Sequence, residues 1–257
     1  MSSEFVLETR NLVKEFKGFT AVDDVNLKVS RGHIHALIGP NGAGKTTVFN
    51  LLTKFLIPTR GQILFNDQDI TPMKSAAIAR MGIIRSFQIS AVFPHMTALE
   101  NVRVALQRFE GSSFHFWKSE KTLNKLNEKA YALLESVGLE TFADTITVEL
   151  SYGRKRALEL ATTLAMEPEL VLLDEPTQGM GHEDVDRVVE LIRKAAEGRT
   201  VLMVEHNLSV VSKLCDQITV LTRGAVLTEG DYKSVSENPD VKEAYMGSES
   251  TAVEEAH

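Results

Sequence analysis

Apolar positions in this chain switch repeatedly between two periods. Residues 34–38 form a short apolar run closed by Gly39, the pattern of a buried strand. From Lys45 the apolar residues fall at Val48, Leu51, Leu52 and Phe55, an i, i+3, i+4, i+7 stripe that predicts a helix ended by Pro58. Residues 170–173 and 201–204 predict two further buried strands. Between them, Val185, Val188, Val189 and Ile192 mark one face of a helix over 184–197, with Gly198 as its stop. Residues 217–222 and 225–228, joined by Arg223-Gly224, predict a hairpin. Strands alternating with helices imply an α/β fold, a mostly parallel sheet with helices on its faces.

The middle of the chain reads differently. Residues 97–166 carry helical signals, with Leu123, Leu126, Ala130, Leu133 and Val137 in a stripe that Gly138 closes. This predicts an α-helical subdomain inserted into the α/β core. The first thirty or so residues and 61–65 read as strands of an N-terminal antiparallel β subdomain beside that core. The expected division is a core of residues 1–90 and 165–247 that includes the antiparallel sheet, a helical unit over 91–164, and a tail over 248–257. That tail is polar and acidic, and is expected to be disordered.

Composition narrows the class. The chain has 257 residues, a net charge of −7 and one cysteine, so it forms no internal disulfide and suits a reducing compartment. Seven histidines without Cys/His ligand spacing argue against a structural zinc site. The acidic balance argues against general attraction to nucleic acid. The first residues show no basic and then apolar leader, and no apolar run approaches the ~18–20 residues that span a bilayer. A soluble cytoplasmic chain is expected, with any membrane role borrowed from a partner.

The chemistry starts at Gly39. Gly39, Pro40, Asn41, Gly42, Ala43, Gly44, Lys45 and Thr46, followed by Thr47, fit the pattern G-x-x-x-x-G-K-[ST] between a predicted strand and a predicted helix. Glycines let successive backbone N–H groups and the helix N-terminus close around phosphate. Lys45 adds a point charge at the β/γ-phosphates, and Thr46 offers a hydroxyl to Mg²⁺. Asp174 and Glu175 follow the strand over 170–173, where open α/β sheets bind ligands. Asp174 suits Mg²⁺ and Glu175 suits activation of an attacking water. His206 follows the strand over 201–204 and is expected at the same sheet edge, within reach of a γ-phosphate.

These residues resemble the ATP-binding subunits of ABC transporters, over residues ~5 to ~247. Leu150-Ser151-Tyr152-Gly153-Arg154 resembles the family signature Leu-Ser-Gly-Gly-Gln, Gln88 in Arg85-Ser-Phe-Gln88 resembles the Q-loop, and Phe16 matches the aromatic that stacks on adenine. The resemblance implies a P-loop NTPase (RecA-like) core that binds ATP and Mg²⁺, with Thr46, Gln88 and Asp174 at the metal and Glu175 and His206 catalytic. It implies a head-to-tail dimer, homomeric or with a related ATPase subunit. Ser151, Tyr152, Gly153 and Arg154 would there face the nucleotide of the partner subunit. It further implies membrane permease subunits, an indirect link to a periplasmic solute-binding protein, and a place on the cytoplasmic side of the bacterial inner membrane.

Two departures from the family pattern stand out. Arg154 replaces the signature glutamine and opens the helix with Arg154-Lys155-Arg156, cations that a helix N-terminus disfavours unless an anion is near. Gly181, in Gln178-Gly-Met-Gly181, lacks the carboxylate that many relatives carry there, which bears on coupling between sites. Tyr152, Arg85-Ser-Phe-Gln88, residues 93–102, residues 175–180 and the ending Glu243-Ala-Tyr-Met-Gly247 are similar to the branched-chain amino-acid importer branch. Importers of urea or amides and non-transport ABC ATPases remain alternatives. Phe109, Phe114, Phe116 and Trp117 read as subdomain core or as a groove for a permease helix, with residues 91–99 the better contact.

Overall fold

The structure is a computed structural model that describes residues 3–86, 92–107 and 126–245. Two sheets organise it. Among the described residues, one sheet runs β2 (Phe19–Val25), β1 (Phe5–Phe16), β5 (Arg60–Phe65), β6 (Gln68–Asp69), with β3 (Lys28–Ser30) paired to β1. Its pairings are antiparallel. The other runs β11 (Ala225–Gly230), β10 (Gln217–Thr222), β4 (Ile34–Ile38), β9 (Thr200–Val204), β8 (Leu170–Asp174), β7 (Ile83–Ser86), parallel except at the β10–β11 hairpin.

The buried runs are strands because both faces of the parallel sheet are covered. β4, β8 and β9 are buried at every position. Successive side chains go to opposite faces. Leu37, Leu170, Leu172, Leu202 and Val204 pack with the antiparallel sheet, α1 (Lys45–Leu52) and Ile78 of α2 (Ser75–Met81). Ala36, Ile38, Val171, Leu173, Val201 and Met203 pack with the predicted stripe of α6 (His182–Ala196) and with α7 (Leu208–Leu214). Residues of α3 (Ala98–Leu106), α4 (Asn127–Ser136) and α5 (Tyr152–Leu164) form a separate apolar cluster. No helix among the described residues is long and apolar enough to cross a membrane.

Several boundaries depart from the sequence reading, α6 among them, which begins at His182 rather than 184. α1 stops at Leu52, not near Pro58, because Lys54 takes left-handed backbone (φ 60°). Phe55 therefore leaves the buried stripe and is exposed. β11 extends to Gly230, with Arg223 (φ 47°) and Gly224 (φ 84°) forming the tight turn that a right-twisted hairpin favours. α5 begins at Tyr152, not Arg154.

Register places the chemistry. Leu37 pairs with Val204, and Val204 with Asp174. Ser86 pairs with Leu173. The C-terminal ends of β4, β7, β8 and β9 therefore form one row, and Gly39, Glu175 and His206 leave the sheet from the same edge.

Candidate functional site

The phosphate loop leaves β4 at Gly39 and enters α1 at Lys45. Its shape is set by neighbours. Gly39 (φ 147°) lies so close to β10 that a Cβ would meet the Leu221 carbonyl oxygen at 2.2 Å. A Cβ on Gly44 (φ 100°) would meet the Ala21 oxygen at 2.6 Å. The Gly224 amide donates to the Ala43 carbonyl at 3.1 Å, and the Asp23 amide to the Gly224 carbonyl at 2.8 Å. Gly42 (φ 77°) faces open space. The first intrahelical bond runs from Val48 N to Gly44 O, so the amides of Lys45, Thr46 and Thr47 have no intrahelical acceptor. Pro40 accepts from the Ala43 amide at 3.2 Å, and Asn41 and Thr46 are exposed.

Lys45 is buried, and its Nζ donates to the Gly39 and Pro40 carbonyls at 2.7 and 2.9 Å. Burial pushes its ammonium below the ordinary lysine value, while the charges of Glu175 and Asp174 pull it back up. The lysine and both carboxylates thus share one electrostatic neighbourhood. Asp174 is 7% exposed and ion-paired to Arg85, whose other arm donates to Asn50 Oδ1 at 2.7 Å. Glu175 follows in left-handed backbone (φ 46°), a sparsely populated conformation often found at functional sites. Its amide extends the β8–β9 ladder to the Val204 carbonyl at 2.9 Å. His206 is exposed beyond β9.

An anion suits the loop, since it offers helix-end amides, glycines at positive φ and a buried cation. A magnesium ion suits the oxygen donors Thr46 and Asp174. No group of three His, Cys, Asp or Glu side chains that could hold a metal occurs among the described residues.

The other expected residues lie apart from this edge or outside the described residues. Phe16 ends β1, 41% exposed, with Lys14 Nζ 5.0 Å from its ring centroid. Gln88, Ala91, Phe109, Phe114, Phe116, Trp117 and the expected tail over 248–257 lie outside the described residues. Ser151 occupies the N-cap position of α5 without a side-chain capping bond. A Cβ on Gly153 would stand 3.6 Å from Asp184 Oδ1. Tyr152 is exposed, and its hydroxyl lies 3.5 Å from the Gln178 carbonyl. The basic turn is held sideways. The Arg154 guanidinium stacks 3.9 Å from the Phe142 centroid, Lys155 Nζ donates to the Val148 carbonyl at 3.0 Å, and Arg156 pairs with Glu159 at 2.7 Å. Arg154 is thus a stacked cation. Gly181 is the N-cap of α6, with no side-chain capping bond.

Sequence reasoning missed Arg85 as the partner of Asp174. It also missed Glu205, a fully buried carboxylate between β9 and His206. The available signal was a lone acidic residue closing an otherwise apolar strand.

A phosphate loop entering α1, with carboxylates and a histidine at the same sheet edge, defines a nucleoside-triphosphate-binding cassette. The sequence profile of the family described as ABC transporter matches residues 22–178, and the chain belongs to that family as an ABC ATPase. It is 39% identical over 252 residues to the high-affinity branched-chain amino acid transport ATP-binding protein BraF of Pseudomonas aeruginosa, covering 94% of this chain and 98% of that one. To the corresponding protein LivG of Escherichia coli it is 38% identical over 257 residues, covering 95% and 99%. The crystal structure of the ADP conformation of an ATP-binding cassette of an ABC transporter superposes with a TM-score of 0.82 at 31% identity, covering 95% of this chain and all of that one. A dimeric post-hydrolysis cassette bound to ADP and Pi gives 0.73 at 25% identity, covering 88% and 98%.

Proposed function

We propose that this chain powers uptake of branched-chain or other hydrophobic amino acids as the ATP-hydrolysing subunit of an importer. The observation that carries the catalytic part is the shared sheet edge of the phosphate loop, Asp174, Glu175 and His206. Similarity along almost the whole chain to BraF and LivG supports the substrate class.

Each side chain has a task in this reading. The glycine cradle of residues 39–44, the α1 amides and Lys45 bind the phosphates, and Phe16 stacks on adenine. Thr46, Asp174 and Gln88 hold Mg²⁺, which when bound offsets negative charge on the phosphates. Glu175 takes a proton from the attacking water, and His206 contacts the γ-phosphate. Ser151, Tyr152 and Gly153 face the nucleotide of a second subunit, identical or related. With Arg154 turned onto Phe142, the first-turn amides of α5 are left for that anion.

The separate apolar cluster of α3, α4 and α5 supports treating residues 91–164 as a signature unit distinct from the core of 1–90 and 165–247. Phe93 and Met96 are exposed just beyond it and suit docking of a permease subunit at the cytoplasmic face of the inner membrane. A solute-binding protein would act through that permease.

The test is uptake by cells lacking this chain. Loss of labelled leucine, isoleucine and valine uptake, restored by the parent chain and not by Lys45→Ala, is expected. Unchanged amino-acid uptake with loss of urea or amide uptake would overturn the substrate assignment.

A further inference from the structure

Glu205 directly follows the apolar strand β9, yet it is a fully buried carboxylate. A carboxylate removed from water has to be satisfied by donors. Its two oxygens face two different turns. Oε1 accepts from the Thr177 hydroxyl and, at 3.2 Å, from the Thr177 amide. Oε2 accepts from the amides of His206 at 2.9 Å and Asn207 at 3.0 Å. Thr177 is buried and stands two residues after Glu175. The backbone ladder between β8 and β9 reaches Glu175 N and Val204 O, and beyond it the Glu205 carboxylate continues the connection.

We propose that Glu205, together with Thr177, is a positioning pair that holds Glu175 and His206 in register for ATP hydrolysis. The proposal rests on the catalytic reading of Glu175 and His206 given above. Both turns leave the sheet at the C-terminal edge, and the Glu205 carboxylate ties them together past the end of the backbone ladder. A carboxylate fits here because all of its partners are donors. A glutamine of the same size has one acceptor oxygen and would turn an NH₂ group towards amide donors on one side. In this reading neither Glu205 nor Thr177 touches the nucleotide. Their effect reaches the chemistry through placement, and a misplacement of about 1 Å costs about 10²-fold in rate.

The test compares kcat, affinity for a non-hydrolysed ATP analogue and melting temperature for the full chain and its variants. Thr177→Val keeps the volume and removes the hydroxyl donor. It should lower kcat with analogue affinity unchanged, and Thr177→Ser should restore kcat. Glu205→Gln should lower kcat by about 10²-fold. The double variant Thr177→Val/Glu205→Gln should be no slower than Glu205→Gln, because both act on one link. If Glu205→Gln does not fold, Thr177→Val, which leaves the carboxylate its amide donors, decides alone. Parental kcat in Thr177→Val and Glu205→Gln, or a kcat loss that follows only the unfolded fraction, overturns the proposal. Glu175→Gln separates the two levels. If it keeps parental turnover, the catalytic reading fails and this proposal with it. If it loses turnover while Thr177→Val and Glu205→Gln do not, only the positioning role fails.

Discussion

Arg85 on β7 forms a buried ion pair with Asp174 at the end of β8, and its other arm is held by Asn50 of α1. The carboxylate proposed to hold Mg²⁺ therefore has a protein cation beside it before any ion binds. Removing one partner of a buried pair costs roughly 3–5 kcal/mol. Arg85→Gln should accordingly lower the melting temperature of the nucleotide-free chain. A bound Mg²⁺ would replace the lost charge, so the melting shift on adding Mg²⁺ and a non-hydrolysed ATP analogue should be larger in the variant than in the parent. Equal shifts would contradict the assignment of Asp174 to the ion.

Lys45 donates to the carbonyls of Gly39 and Pro40, spanning the turn it is meant to fill with phosphate. A charge-assisted hydrogen bond contributes roughly 1.5–3 kcal/mol, so Lys45→Ala should weaken binding of a non-hydrolysed ATP analogue at least about tenfold. Titration calorimetry reads this directly. Unchanged affinity would sink the phosphate-loop assignment.

Glu175→Gln keeps the side-chain shape and removes the base. Turnover should drop on the order of 10²–10⁴-fold while ATP binding persists. ATP retained at the interface should hold two subunits together, so light scattering should find an ATP-dependent dimer in the variant and mostly monomer in the parent. Loss of ATP binding instead would reverse the division of labour between Asp174 and Glu175.

What the sequence displayed and what it concealed follow from the range of the interactions. The strands at 34–38, 170–173 and 201–204 were legible because a sheet covered on both faces makes its strands continuously apolar. The phosphate loop was legible because its residues are consecutive. The end of α1 was concealed because Phe55 continues the apolar stripe, while the stop lies in the backbone of Lys54. Arg85 and Asp174 are 89 residues apart, and Thr177 and Glu205 are 28 apart. Such polar pairs depend on which strands become neighbours, and hydrophobic periodicity carries no information about that. The orientation of Arg154 depends on Phe142, which a separate turn delivers.

His35 should make stability depend on pH. Burial, and secondarily the charge of His33, lowers its pKa to about 4. Thr219 donates its hydroxyl to Glu229 at 2.7 Å, so His35 Nε2 acts as donor to Thr219 Oγ1 at 2.8 Å. Nδ1 has no hydrogen-bond partner among the described residues, and a proton placed there would have no acceptor. The unfolded chain titrates near the ordinary value of ~6.5 and binds more protons below it. Stability is therefore full above ~6.5, falls as the pH drops towards about 4, and levels off below, by about 3 kcal/mol for this one group. Urea unfolding across this range should show a shallower dependence in His35→Leu. An identical slope would assign the effect elsewhere.

The fastening of Gly39, Ala43 and Gly44 against Leu221, Gly224 and Ala21 also has a kinetic consequence. A backbone already shaped by the strands beside it has little conformational search to complete when ATP arrives, and the step left is the fast release of the Lys45 side chain from the Gly39 and Pro40 carbonyls. Little ordering entropy is then drawn from the binding energy. Capture becomes limited by encounter, so the observed association rate should rise linearly with ATP concentration and show no plateau from a preceding rearrangement.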